Sequence, residues 1–250
     1  MATTASVSWV RYWIEVGDIY LLDPRTPQAY AEGHLPGAVN LPLEQVLDSN
    51  QRLLPYGQLL DVFGEAGIDD AKRPVVYDAS DGTRGVMLAW LLEYLGRGDV
   101  SMMSVLYEGW VAENQTVSKE PTRLPRREFV PRIDPSKRAT LDLLQAHPEF
   151  KLLDLRSDHE FQKSGHIPGA VNLPWTGLMG GDNNLLGDLS GLPRQLASAG
   201  ITKDDTVVTY DSFGPRAAMG YLALKHSGYT VRVFPGGFLQ WREAGLAVET

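Results

Sequence analysis

The chain carries one long string twice. Leu21–Pro42 reads LLDPRTPQAYAEGHLPGAVNLP, and Leu152–Pro174 reads LLDLRSDHEFQKSGHIPGAVNLP with one extra residue before its Gly-His. Each copy opens with an apolar run closed by Asp-x-Arg and ends in Gly-His-x-Pro-Gly-Ala-Val-Asn-Leu-Pro. The match resumes further on: EAGIDDAKRPVVYD (Glu65–Asp78) parallels SAGITKDDTVVTYD (Ser198–Asp211), and DVSMMSVLYEGW parallels YTVRVFPGGF. A period of about 130 residues is far longer than a solenoid repeat. It signals two copies of a domain of ordinary size, which a chain of 250 residues accommodates.

The copies set the expected boundaries: a first domain over residues 1–113, a linker over 114–137 and a second domain over 138–250. The linker contains Pro121, Pro125, Pro131 and Pro135, which oppose helix and central strand. It also gathers Lys119, Arg123, Arg126, Arg127, Arg132 and Lys137, expected to face two acidic domains. The formal net charge is −8, so the chain repels phosphate and neither nucleic acid nor an anionic membrane is an expected partner. No apolar run approaches the ~20 residues that cross a bilayer. The first residues lack the basic, apolar and small-residue order of a signal peptide, which makes the cytosol the expected location. The chain has no Cys, and this removes disulfides, thiolate metal sites and every Cys-nucleophile mechanism.

Within the second copy, KLLDLR, TVVTY and TVRVF read as strands, and LPRQLASAG and PRAAMGYLALKHSG as helices. In the latter, Ala218, Tyr221, Leu222 and Lys225 form one stripe, Pro215 suits the first turn and Gly228 suits the position after the end. Alternating strands and helices imply an α/β fold, each copy a mainly parallel sheet flanked by helices on both faces. Ligands of such sheets sit at the carboxyl ends of strands. That directs attention to the strand-to-helix loop Asp211-Ser212-Phe213-Gly214-Pro215-Arg216 and to its first-copy counterpart Asp78–Arg84, one residue longer. Inward backbone N–H groups and a helix N-terminus make such a loop an anion cradle.

Both copies resemble rhodanese domains, and the chain resembles the tandem thiosulfate and 3-mercaptopyruvate sulfurtransferases over nearly its whole length. The resemblance rests on the doubled Asp-x-Arg to Asn-Leu-Pro string, Glu108-Gly109-Trp110, and Gly236-Gly237-Phe238 followed by Trp241. The family's working loop resembles Cys-x-x-Gly-x-Arg, its Cys carrying a persulfide. Here Gly214 and Arg216 keep their places while Asp211 stands at the Cys position, and Asp78 stands at the first-domain position as in the silent domain of tandem members. Asp211 is expected to plug its own anion site, its carboxyl lowered by the inward N–H groups and by Arg216. An N-cap role and an aspartyl nucleophile are the alternatives. No second acidic residue stands near Asp211 in the loop.

Around the loop, Trp175 reads either as pocket rim or as ordinary packing, and Phe213 is expected to add apolar surface. Asp154 and Arg156, like Asp23 and Arg25, read as ion pairs at strand ends, with a pocket role left open by the resemblance. His34 and His166 read either as acid/base groups or as turn histidines bonded to backbone. No metal or cofactor is expected. The expectation is a family member inactive in sulfur transfer that acts as a binding or regulatory module. Its partner class would be a small molecule or a sulfur-carrier protein. Sulfur transfer with a partner's cysteine and an Asp211-dependent enzyme are carried as alternatives.

Overall fold

The computed structural model describes residues 3–250, apart from the side chain of Thr3. The expected first-domain boundary at residue 1 lies outside the described residues. The chain divides into two compact units: residues up to Asp134 together with Gly181–Leu185, and Pro135–Gly180 together with Leu186–Thr250.

The first unit runs β1 (Thr3–Ala5), α1 (Val7–Val16), β2 (Ile19–Asp23), α2 (Pro27–Glu32), β3 (Val39–Asn40), α3 (Tyr56–Glu65), β4 (Arg73–Val76), α4 (Thr83–Tyr94), β5 (Ser101–Met103) and α5 (Tyr107–Ala112). Its sheet has the order β1-β5-β4-β2-β3, and every pair is parallel. The second unit runs α6 (Leu141–Ala146), β6 (Lys151–Asp154), α7 (Asp158–Ser164), β7 (Val171–Asn172), α8 (Leu192–Ser198), β8 (Thr206–Tyr210), α9 (Pro215–His226), β9 (Thr230–Val233) and α10 (Gly237–Glu243). Its sheet, β7-β6-β8-β9, is again parallel throughout. Each unit is therefore the helix-flanked parallel sheet expected from the alternating pattern.

The central strands are buried, with Val75, Val76, Val207 and Val208 at 0 % exposure. The helix after each loop is buried too. In α9, Pro215 opens the first turn and Gly228 adopts φ +82 just past the end. Its burial is wider than the single stripe read from the sequence: Ala217 through Leu224 are all buried. Small residues make this close approach feasible. A Cβ on Gly220 would lie 2.9 Å from Leu155.

The proline-rich segment is strapped along the first unit. Ser118 and His34 exchange backbone hydrogen bonds, Arg127 N–H donates to Gly64 O, and Arg132 N–H donates to Leu95 O. Phe129 is buried against Phe63, ring centroids 5.0 Å apart. Arg126 reaches Asp61 and Glu65, and Arg127 reaches Asp69. The Arg126 pairs are well exposed, and such pairs are worth about 0.2–1 kcal/mol. The anchor is therefore the buried Phe129 with the backbone bonds rather than the charges.

Candidate functional site

Beneath the loop of each unit lies the same buried network. In the second unit Arg156, at 2 % exposure, donates through Nε and Nη2 to both oxygens of Asp154, the shortest contact being 2.6 Å. Its Nη2 also donates to Gly165 O, and its guanidinium lies 4.0 Å from the centroid of Phe238. Tyr210 donates its hydroxyl to Asp154 and accepts from Ile167 N–H. Burial pushes the Tyr210 hydroxyl well up, so it stays protonated and keeps that donor role. The first unit repeats the design with Arg25, Asp23 and Tyr77. A bidentate, ring-covered pair of this kind is fixed at strand ends β2 and β6 and holds the following turn.

The histidines of the doubled motif belong to the same turns. His34 points Nδ1 at Tyr30 O and Nε2 at Glu120 O, and stacks on Tyr30. His166 points Nδ1 at Phe161 O and stacks on Phe161. In both units a backbone carbonyl faces Nδ1, as the turn reading has it; the second ring nitrogen meets a carbonyl in His34 and the Glu249 carboxylate, at 3.5 Å, in His166.

The loop itself begins at the carboxyl end of β8. Asp211 is fully buried, and its Oδ1 accepts from Gly214 N–H at 2.5 Å. Its Oδ2 accepts from Arg216 N–H and Arg216 Nε, both at 3.3 Å. Gly214 holds φ +128, which a side chain would resist, and this turns its N–H inward. The floor of the loop is the Gly236-Gly237 turn. Phe238 N–H donates to Asp211 O, and Gly237, at φ +57, would place a Cβ 2.4 Å from that same oxygen. Only glycine permits the turn to approach so closely.

One sequence expectation is corrected here, and one neighbour is added from outside the loop. The Asp211 carboxyl is raised, not lowered. Burial outweighs the Arg216 charge and the N–H groups, because complete desolvation penalises the carboxylate more than those contacts favour it. A second acid also does stand beside the loop. Glu160 of α7 takes Arg216 Nη1 at 2.8 Å and Nη2 at 3.0 Å, so the arginine is held chiefly by Glu160 and more loosely by Asp211. Its bond to Arg216 lowers Glu160 to about 2. Arg216 Nη2 also donates to Ser212 Oγ. A search confined to the loop could not reach Glu160, which lies over 50 positions upstream by sequence. The signal was the Ser157-x-x-Glu160 spacing, a capping box that the structure forms completely.

The other residues named from sequence distribute as follows. Trp175 opens a 3-10 turn (Trp175–Leu178), is half-buried, and donates its backbone N–H to Leu155 O. Phe213 is half-buried and Pro215 is buried at the helix start. Asp154 and Arg156 lie below, occupied by each other. Among the described residues, no three His, Asp or Glu side chains converge as metal ligands.

In the first unit Asp78 holds the Asp211 place. It is 2 % exposed and accepts from Ala79 N–H at 2.8 Å and Gly85 N–H at 2.7 Å. Burial pushes its carboxyl up to about 7. The extra residue carries Arg84 outward, where it meets Glu44 at 2.5 Å. Arg84 therefore does not play the part of Arg216.

Known proteins agree with this anatomy. The chain is 29 % identical to the thiosulfate sulfurtransferase of Azotobacter vinelandii, over 90 % of its own length and 88 % of that protein's. It is 27 % identical to the 3-mercaptopyruvate sulfurtransferase of Escherichia coli, covering 100 % of this chain and 99 % of the relative. The crystal structure of SseA from Escherichia coli superposes with a TM-score of 0.84 at 23 % identity, over 95 % of this chain and 99 % of that one. The Rhodanese-like domain model matches residues 6–113 and again 138–244. The chain therefore belongs to the rhodanese family as a tandem member with no cysteine to carry sulfur.

Proposed function

We propose that this protein does not transfer sulfur itself and acts as a binding or regulatory module built on a sulfurtransferase scaffold. One observation carries the reading: the Asp211 carboxyl group occupies the cradle, bonded to Gly214 N–H and Arg216, where a persulfide-bearing thiol would be held. A carboxyl oxygen has no sulfur atom to accept and return a sulfane sulfur. Arg216, the group that would hold an anionic donor, is committed to Glu160. Asp211, with the apolar Phe213 beside it in the loop, suits a neutral or cationic small molecule, or a segment of a sulfur-carrier protein, better than thiosulfate.

The test is a thiosulfate:cyanide assay on the purified protein. No turnover above the uncatalysed rate is expected, and appreciable turnover sinks the proposal. Asp211→Cys adds the complementary measurement. Sulfur-transfer turnover gained by this variant would show that the rest of the pocket survives, and the chain offers no other thiol to account for it.

A further inference from the structure

The duplication supplies an internal control for the first unit's loop. In the second unit the loop carboxyl faces the Arg216 guanidinium, which is itself seated on Glu160. The first unit keeps the carboxyl and loses both other members. Asp78 receives only backbone N–H groups, and Arg84 is drawn away to Glu44. Ala29 stands at the Glu160 place, three residues after the capping Thr26 as Glu160 is three after Ser157. The space left open is a cavity of about 510 Å³, lined by Ala29, Asp78 and Tyr107 together with Glu32, Asp81 and Glu108.

The charges around it are one-sided. None of Glu32, Asp78, Asp81 and Glu108 forms an ion pair among the described residues. Asp81 is occupied with the Thr83 N–H and hydroxyl, and Glu108 with Ser80 N–H. The cations on the walls are both committed, Arg25 to Asp23 and Arg84 to Glu44. A buried carboxyl with no counter-charge is costly to ionise and gains most from a charged donor. The volume suits a small organic ligand.

We propose that this cavity binds a guanidinium-bearing small molecule, its head group placed against Asp78 as Arg216 is placed against Asp211. A guanidinium offers a planar fork that matches carboxyl oxygens, which a point-charge ammonium does not. Burial holds Asp78 up to about 7, so binding below that pH displaces its proton, and affinity rises with pH through that value. The groups that share its field are Asp23 and Arg25 from β2 and its loop, Glu32 from α2, Asp81 from the loop, Arg84 from α4, and Tyr107 and Glu108 from α5.

The experiment is calorimetry at pH 8 and low ionic strength with n-butylguanidinium, n-butylammonium and the uncharged isostere n-butylurea. The guanidinium is expected to bind at least tenfold more tightly than either of the others. Asp78→Asn is expected to weaken it at least tenfold. Ala29→Leu keeps Asp78 and narrows the cavity at the Glu160 place, and is expected to do the same. Amide shifts on titration should concentrate at residues 78–85 and 107–108. Equal binding of guanidinium and urea, equal binding of guanidinium and ammonium, or binding that survives Ala29→Leu each overturns the proposal. Should Asp78→Asn fail to fold, Ala29→Leu and the shift map still decide it.

Discussion

At the scale of single residues, the two acids that flank the loops respond to pH in opposite directions. Asp78 has a folded value of about 7, above the ordinary ~3.9 of an unfolded aspartate. The native state binds the extra proton between those values, so the contribution of this group is full below about pH 4. It is lost as pH rises through about 7, by up to ~1.4 kcal/mol per pH unit. Asp78→Asn should therefore gain on the wild type between pH 5 and pH 8, and urea unfolding at both pH values checks it. Glu160 has the reverse sign. Its value of about 2 lies below the unfolded one, so its stabilisation is present above about pH 4 and disappears as pH falls through about 2. For Glu160→Gln, the deficit against wild type should shrink between pH 5 and pH 2 in the same titration. Sequence reading found Asp78, Asp211 and Arg216 because each sits in the strand-to-helix loop of its own copy. It could not weigh burial against hydrogen bonds, and so gave Asp211 the wrong direction. Full desolvation is a property of everything packed around a group, not of its neighbours in the chain.

At the scale of elements, two short features fix the second unit's loop. The first is the capping box of α7, which aims Glu160 at Arg216 while closing the helix start. Ser157→Ala should cost about 1 kcal/mol by thermal or urea unfolding. The second is the Gly236-Gly237 turn beneath the loop. Gly237→Ala places a side chain at φ +57 and against Asp211 O, so a loss of about 2 kcal/mol or more is expected in the same measurement. Both features were visible as spacings in the sequence, but their purpose was not. A Ser-x-x-Glu motif announces a helix start and says nothing of what the glutamate's far side touches. Likewise α9 displayed one apolar stripe, while its alanines and Gly220 let neighbours close in on nearly every side. Small residues read as neutral in a periodicity argument and as packing surfaces in a folded unit.

At the scale of the whole molecule, duplication was the most legible property, since one string repeated at one period fixes fold class without any reference to packing. The first unit's strap was far less legible. Prolines and arginines predicted a spacer held by charge, whereas Phe129 and the bonds to His34, Gly64 and Leu95 bind the segment to the first unit. Phe129→Ala should lower the stability of that unit by about 3–4 kcal/mol, while Arg126→Ala should change it by less than about 1. Denaturant titrations of the two variants distinguish an apolar anchor from an electrostatic one. The divergence of the two loops follows the same logic. A single inserted residue moved Arg84 to the surface, and one exchange of glutamate for alanine opened a cavity where the other copy is filled.

The placement of β1 has a consequence for how the chain is made. Residues 3–5 leave the ribosome well before residues 101–103, with which their strand pairs, and the unit they complete also takes in residues 181–185. This strand must wait until residues 101–103 are made before it finds its partner. Nascent chains halted short of residue 103 therefore cannot close the sheet's edge, and the first unit is finished only when much of the second has already been translated.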